Sequence, residues 1–192
     1  MWWDYFIFQK LNHLVNHKTA TGFYFDATVI FLADFLIIFI PVLILIFYIL
    51  APKIKKIIYQ QTVIVAALSA AFAFSVSQII GKIYFRPRPF VSHQEAIRLI
   101  KVLEAISDKS FPSDHTTVSF AIAFAAFFYN RFLGWILLIM SLLIGIARII
   151  AGVHYPLDVL GGIVLGLLSA LLVKFLFEIK IKNKIWLTSS NN

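Results

Sequence analysis

The chain has 192 residues, of which 61% are hydrophobic and only 14% charged, with a mean hydropathy of +0.90. Soluble domains carry about 25% charged residues, so this composition excludes an ordinary water-soluble fold and points to lipid. The net charge of +8 and the absence of cysteine fit a helical bundle with basic loops on one membrane face, which needs neither nucleic acid nor disulfides.

In chain order, the opening "MWWDYFIFQK" carries an acid and no basic leader, unlike a signal peptide. Trp3, Ile7, Leu11, Leu14 and Val15 recur at helical spacing, which predicts an interfacial amphipathic helix over residues 1–20 with Trp2 and Trp3 as anchors. Five apolar runs approach the roughly 20 residues that cross a bilayer: Ala27–Leu50, Ile57–Tyr84, "FPSDHTT" to Asn130, Phe132–Arg148 and Pro156–Phe177. The expected fold class is therefore all-α, a single polytopic membrane bundle of about five transmembrane helices over residues 1–192. Between the second and third runs, residues 86–112 form an outer-face loop. In it Ser92 and Glu95 match a capping box, and Ile97, Ile100, Leu103 and Ile106 recur at helical spacing, which predicts a short amphipathic helix.

Five spans place Lys53, Lys55, Lys56, Arg131, Lys174, Lys180, Lys182 and Lys184 on one side, which the positive-inside rule assigns to the cytoplasm. The ends of spans two and four and the starts of three and five share the other side. Three polar islands meet there: "GKIYFRPRPF" with Lys82, Arg86 and Arg88, "PSDHT" with Ser113, Asp114 and His115, and "ARIIAGVHYPLD" with Arg148, His154 and Asp158. Ionisable groups beside spans are costly and signal function. Arginine forks suit phosphate oxygens, and the N-terminus of the third span offers free N–H groups to an anion. Two histidines fit a nucleophile and a general acid. Asp158, four residues after His154, suits an orienting carboxylate. The set spells phosphoryl transfer without a metal or other cofactor: three arginines repel a cation, and no histidine pair stands at ligand spacing. Each residue alone also has a structural reading, such as a helix cap for Ser113 and Asp114 or an ion pair between Arg148 and Asp158. Asp34, inside the first span, is expected to close a bundle hydrogen bond in preference to neutralising the arginines.

"RPRPF", "FPSDHTT" and "RIIAGVHYPLD" resemble the three motifs of the type-2 phosphatidic acid phosphatase superfamily. That resemblance implies that His154 is the nucleophile of a phosphohistidine mechanism, that His115 protonates the leaving group and then activates water, and that Asp158 orients His154. It implies that Arg88, Arg148, Ser113 and the N–H groups around Asp114 hold the phosphoryl oxygens. Two positions depart from the pattern. Lys82 stands one residue too close to Arg88-Pro89, with Gly81 in the lysine's place and Arg86 as a substitute cation, and Ala147 replaces a serine. The aspartate between Ser113 and His115 and the compact layout look like the undecaprenyl-diphosphatase branch. The implied partner is a lipid diphosphate taken from among the membrane lipids, at the outer face of a bacterial plasma membrane. Alternatives are a phosphatidate or phosphatidylglycerophosphate phosphatase and, in another class, a lipid-phosphate binder or transporter without chemistry.

Overall fold

In the computed structural model the described residues are 2–15, 19–100 and 109–189. The elements among them are helical: α1 (Trp2–Asn12), α2 (Ala20–Ile30), a π-helical turn (Phe31–Phe35), α3 (Leu36–Leu50), a 3₁₀ turn (Lys53–Lys55), α4 (Lys56–Ile83), α5 (Pro89–Ser92), α6 (Asp114–Tyr129), α7 (Arg131–Ile150) and α8 (Pro156–Ser189). Among the described residues, four continuous helical stretches are long and apolar enough to cross a bilayer: Ala20–Leu50, Lys53–Ile83, Arg131–Ile150 and Pro156–Lys180.

The fifth expected span, α6, is only 16 residues long, about 24 Å at 1.5 Å per residue. It can be short because it sits at the centre, packed against α4, α7 and α8. Its sequence shows why. Ala121, Ala123, Ala125 and Ala126 are buried without exposure, and small side chains let neighbouring backbones approach closely, the usual basis of helix association in lipid. α8 answers with glycines. A Cβ on Gly162 would meet Ser113 O at 3.1 Å, and one on Gly166 would meet Ala121 N at 2.8 Å and Thr117 O at 2.9 Å. Large residues face outward instead. Phe72, Trp135, Leu168 and Phe175 are exposed, as expected where the surrounding solvent is lipid and not water.

Three sequence expectations change. The first span begins earlier, at Ala20, because Thr19 accepts a hydrogen bond from Gly22 N and caps α2. The expected amphipathic helix after Ser92 does not form over residues 93–100. There, Ile97 N donates to Asn12 Oδ1 at 2.8 Å, and Leu99 N donates to Ala151 O at 3.1 Å. Backbone groups recruited by α1 and by the end of α7 are unavailable to a helical ladder. Leu103 and Ile106 of that pattern lie outside the described residues. The N-terminal helix is also shorter than expected and ends at Asn12.

Candidate active site

α7 ends at Ile150, and Gly152 turns the chain with φ of +80°. Any Cβ there would also strike Ile97 O at 2.1 Å, so glycine is required on both counts. The turn delivers Val153, His154 and Tyr155 into the protein, all buried. α8 then starts at Pro156, where the ring's fixed φ suits the first helical position. Asp158, in its first turn, reaches back to accept from Tyr155 N at 2.7 Å, the acidic half of a capping box.

His154 is 2% exposed. Its Nδ1 lies 2.9 Å from Ser110 O and 3.8 Å from Asp158 Oδ2. A carbonyl can only accept, so Nδ1 carries the proton and Nε2 the lone pair. Burial, followed by the Arg148 and Arg88 charges, outweighs Asp158 and pushes the imidazole pKa down to about 4, which leaves it neutral at pH 7. Asp158 is fully buried and well supplied. Ser110 Oγ donates to Oδ2, and Arg86 Nη1 donates to Oδ1 at 2.8 Å.

Ser113 occupies the N-cap position of α6, yet its side chain makes no capping bond. Its Oγ accepts from Thr116 Oγ1 at 3.1 Å, and its backbone N–H donates to Asp158 O at 3.1 Å. The simple cap reading therefore fails for its hydroxyl. Asp114 turns away to a second buried cation: Lys109 Nζ donates to its Oδ1 at 2.8 Å, and Ser77 Oγ to the same oxygen at 2.5 Å. His115, next along α6, has its Nε2 3.9 Å from Asp34 Oδ1.

Asp34 corrects an expectation. Arg148 Nη1 donates to its Oδ1, so the carboxylate neutralises the arginine cluster and does not close a bundle hydrogen bond elsewhere. The π-helical turn Phe31–Phe35 is what places it, since a widened turn re-aims one side chain, and such turns recur at functional sites. Arg148 is 3% exposed, and its Nε is buried with no hydrogen-bond partner among the described residues. Arg88 is also buried and donates through Nη1 to Val153 O at 3.4 Å.

The structure thus gathers His115, Arg148, His154, Arg88, Ser113 and Asp158 from the loops and helix ends of one face. Two residues expected at the phosphate lie elsewhere. Lys82 is exposed at the end of α4, because its position on the helix turns it outward. Arg86 is committed to Asp4 and Asp158, with its guanidinium 4.0 Å from the centre of the Tyr155 ring.

Sequence reasoning missed Ser110 and Lys109. Lys109 is the more legible in hindsight. Its aliphatic chain crosses Gly81, where a Cβ would meet its Cδ at 2.0 Å, and its Nζ donates to Ser77 O at 3.1 Å. Gly81 stands where the motif lysine was missing, and a lysine from the opposite side of the loop fills that space. The missing cation in the motif was itself the signal. Ser110 gave none, because its carbonyl matters to His154 and any residue supplies a carbonyl.

The PAP2 superfamily matches residues 62–181, from α4 through all three polar islands into α8. Undecaprenyl-diphosphatase BcrC of Bacillus subtilis (strain 168) is 33% identical over 174 residues, covering 91% of this chain and 82% of that protein. The bacitracin transport permease protein BcrC of Bacillus licheniformis is 35% identical over 148 residues, covering 77% of this chain and 70% of that protein. In fold, the chain is similar to Aquifex aeolicus LpxE, with a TM-score of 0.63 at 22% identity, covering 86% of this chain and 92% of that one. The match spans well over half the chain and includes all three polar islands, so the chain belongs to the PAP2 superfamily as a multi-pass membrane phosphatase.

Proposed function

We propose that this phosphatase hydrolyses undecaprenyl diphosphate to the monophosphate and inorganic phosphate through a phosphohistidine, without a metal, and that it confers bacitracin resistance by recycling the wall-building lipid carrier. The observation that carries the mechanism is the state of His154: buried, neutral, its Nδ1 proton held by Ser110 O at 2.9 Å. Such an imidazole presents Nε2 as a nucleophile in a fixed orientation. Support for the substrate comes from the relative in Bacillus subtilis that is named for that activity.

In the first step His154 Nε2 forms a bond to the terminal phosphorus as the bridging P–O bond breaks. His115 gives its proton to the departing lipid phosphate. Arg88, Arg148 and Ser113, with the first N–H groups of α6, hold the non-bridging oxygens; the unpartnered Nε of Arg148 is a donor of the right kind for one of them. The phosphorylated ring is cationic, and Asp158 Oδ2 at 3.8 Å from Nδ1 stabilises that charge. In the second step water attacks phosphorus, His115 takes its proton, and the N–P bond breaks to release phosphate and restore the enzyme.

The test is phosphate release from undecaprenyl diphosphate by the detergent-purified chain in the presence of a chelator, with phosphatidate and phosphatidylglycerophosphate in parallel. Removing the general acid with His115→Ala lowers the rate by about 10²–10⁴-fold. His154→Ala abolishes both turnover and the acid-labile phosphoenzyme. Activity retained in His154→Ala would overturn the mechanism, and faster release from phosphatidate would overturn the substrate. Binding of the diphosphate without turnover would favour the transport role that the Bacillus licheniformis relative's name carries.

A further inference from the structure

The N-terminal helix brings two buried polar side chains to the bundle. Asp4, Phe8 and Asn12 stand four residues apart and share the inner face of α1. Asn12 Nδ2 donates to Ile150 O, the last residue of α7, at 2.9 Å. Asp4 Oδ1 accepts from Leu157 N, in the first turn of α8, at 2.9 Å. Phe8 lies between them against Tyr155, with ring centroids 5.4 Å apart. Helix ends leave carbonyls and N–H groups without partners. Here one surface helix supplies a partner to both ends that flank the His154 turn.

The second oxygen of Asp4 continues the connection. Arg86 Nη2 donates to Asp4 Oδ2 at 2.5 Å, and Arg86 Nη1 donates to Asp158 Oδ1 at 2.8 Å. Both carboxylates are 0% exposed, and the guanidinium between them stacks on Tyr155. A planar fork can hold two carboxylates at once in a fixed geometry, which an ammonium cannot. Arg86 takes Oδ1 of Asp158, while Oδ2, which also accepts from Tyr155 N at 2.7 Å and from Ser110 Oγ, faces His154. The outer face of α1 carries Trp2, Trp3, Phe6 and Ile7, all exposed, so the same helix that anchors at the interface reaches the site.

We propose that Asp4 and Arg86 are positioning residues: Asp4 fixes the Arg86 guanidinium, and Arg86 fixes Asp158 with Oδ2 toward His154. The proposal rests on the reading of His154 as the nucleophile. It moves Arg86 from phosphate binding to orientation, and it makes α1 a working part of the active site.

The experiment compares Asp4→Asn, Arg86→Lys and the double variant in the full-length chain, with thermal unfolding in detergent measured alongside phosphate release. Misplacing a reacting group costs about 10- to 100-fold. Each single variant therefore lowers kcat by that factor with KM unchanged, and the double variant is no slower than the slower single one, because the two residues act as a unit. A purely structural strap would instead lower the unfolding temperature and leave kcat intact. Wild-type kcat in folded Asp4→Asn, or losses that multiply in the double variant, would overturn the proposal. If Asp4→Asn does not fold, Arg86→Lys alone decides it, since wild-type kcat there is equally fatal. These outcomes are separable from failure of the mechanism: activity surviving in His154→Ala removes the nucleophile and this proposal together, whereas an inactive His154→Ala beside a fully active Asp4→Asn removes only the proposal.

Discussion

His154 shows how burial sets chemistry at a single side chain. A solvated imidazole is half protonated near pH 6.5 and is then a poor nucleophile. In the protein, burial and then the two arginines lower that value to about 4. On the proposed mechanism, the acid limb of kcat/KM, where His154 becomes protonated, is therefore expected near pH 4 and not near 6.5. The sign for stability is consistent. The unfolded chain binds a proton to this residue below about pH 6.5 while the folded chain does not, so stability falls between about 6.5 and 4 and its loss is complete below. A pH–rate profile paired with unfolding at each pH checks both, and an acid limb at 6.5 would contradict the buried, neutral ring. The same scale explains two misreadings from sequence. Lys82 and Arg86 are cations beside a motif, but residue type does not say where a long side chain points. Lys109 stands outside the three motifs, and its only mark in sequence is indirect: the cation missing at Gly81, whose space its side chain fills.

Among the elements, α6 and α8 determine whether the site can form. Ser113 and His115 ride on the start of α6, Asp158 on the start of α8, and the two helices touch backbone to backbone at Gly162 and Gly166. Gly166→Val places a branched side chain within 3 Å of the α6 backbone. Overpacking of this kind costs about 1–3 kcal/mol, and here it also pushes the two helix starts apart. Lowered thermal stability together with reduced kcat is expected. A variant that is destabilised but turns over at the wild-type rate would show that the seam does not set the site's geometry. The spans themselves were legible in sequence, since α4, α6, α7 and α8 begin or end within a few residues of the apolar runs. The stretch 93–100 was not legible, because its helical periodicity lost to hydrogen bonds with Asn12 and Ala151, partners 85 and more than 50 residues distant in sequence.

For the molecule as a whole, the remaining question is which way the site faces. The turn at Lys53–Lys55, Arg131 and Lys174 lie at the opposite end of the bundle from His154, and a lysine-rich end is held in the cytoplasm. We therefore expect the site to face outward. The chain has no cysteine, so single cysteines can report on this without background. Val91→Cys, at an exposed position of α5, is expected to react with an impermeant maleimide in intact cells, and Ile54→Cys, which is 90% exposed at the lysine turn, only after permeabilisation. The reverse pattern would overturn the orientation.

Composition and periodicity alone determined that the chain is a membrane helical bundle, and the three polar islands, which also carry the resemblance to its superfamily, marked the residues worth testing. These follow from properties that read locally: a bilayer demands long apolar helices, and ionisable groups at their ends are too costly to be incidental. Only the tertiary structure decided which partner each polar group takes. It gave the Nδ1 proton of His154 to Ser110 O, paired Asp34 with Arg148, put Lys109 in the space left by Gly81, and tied Arg86 to Asp4. A side chain's bonding depends on what the fold brings within about 3 Å, and those neighbours come from distant parts of the chain.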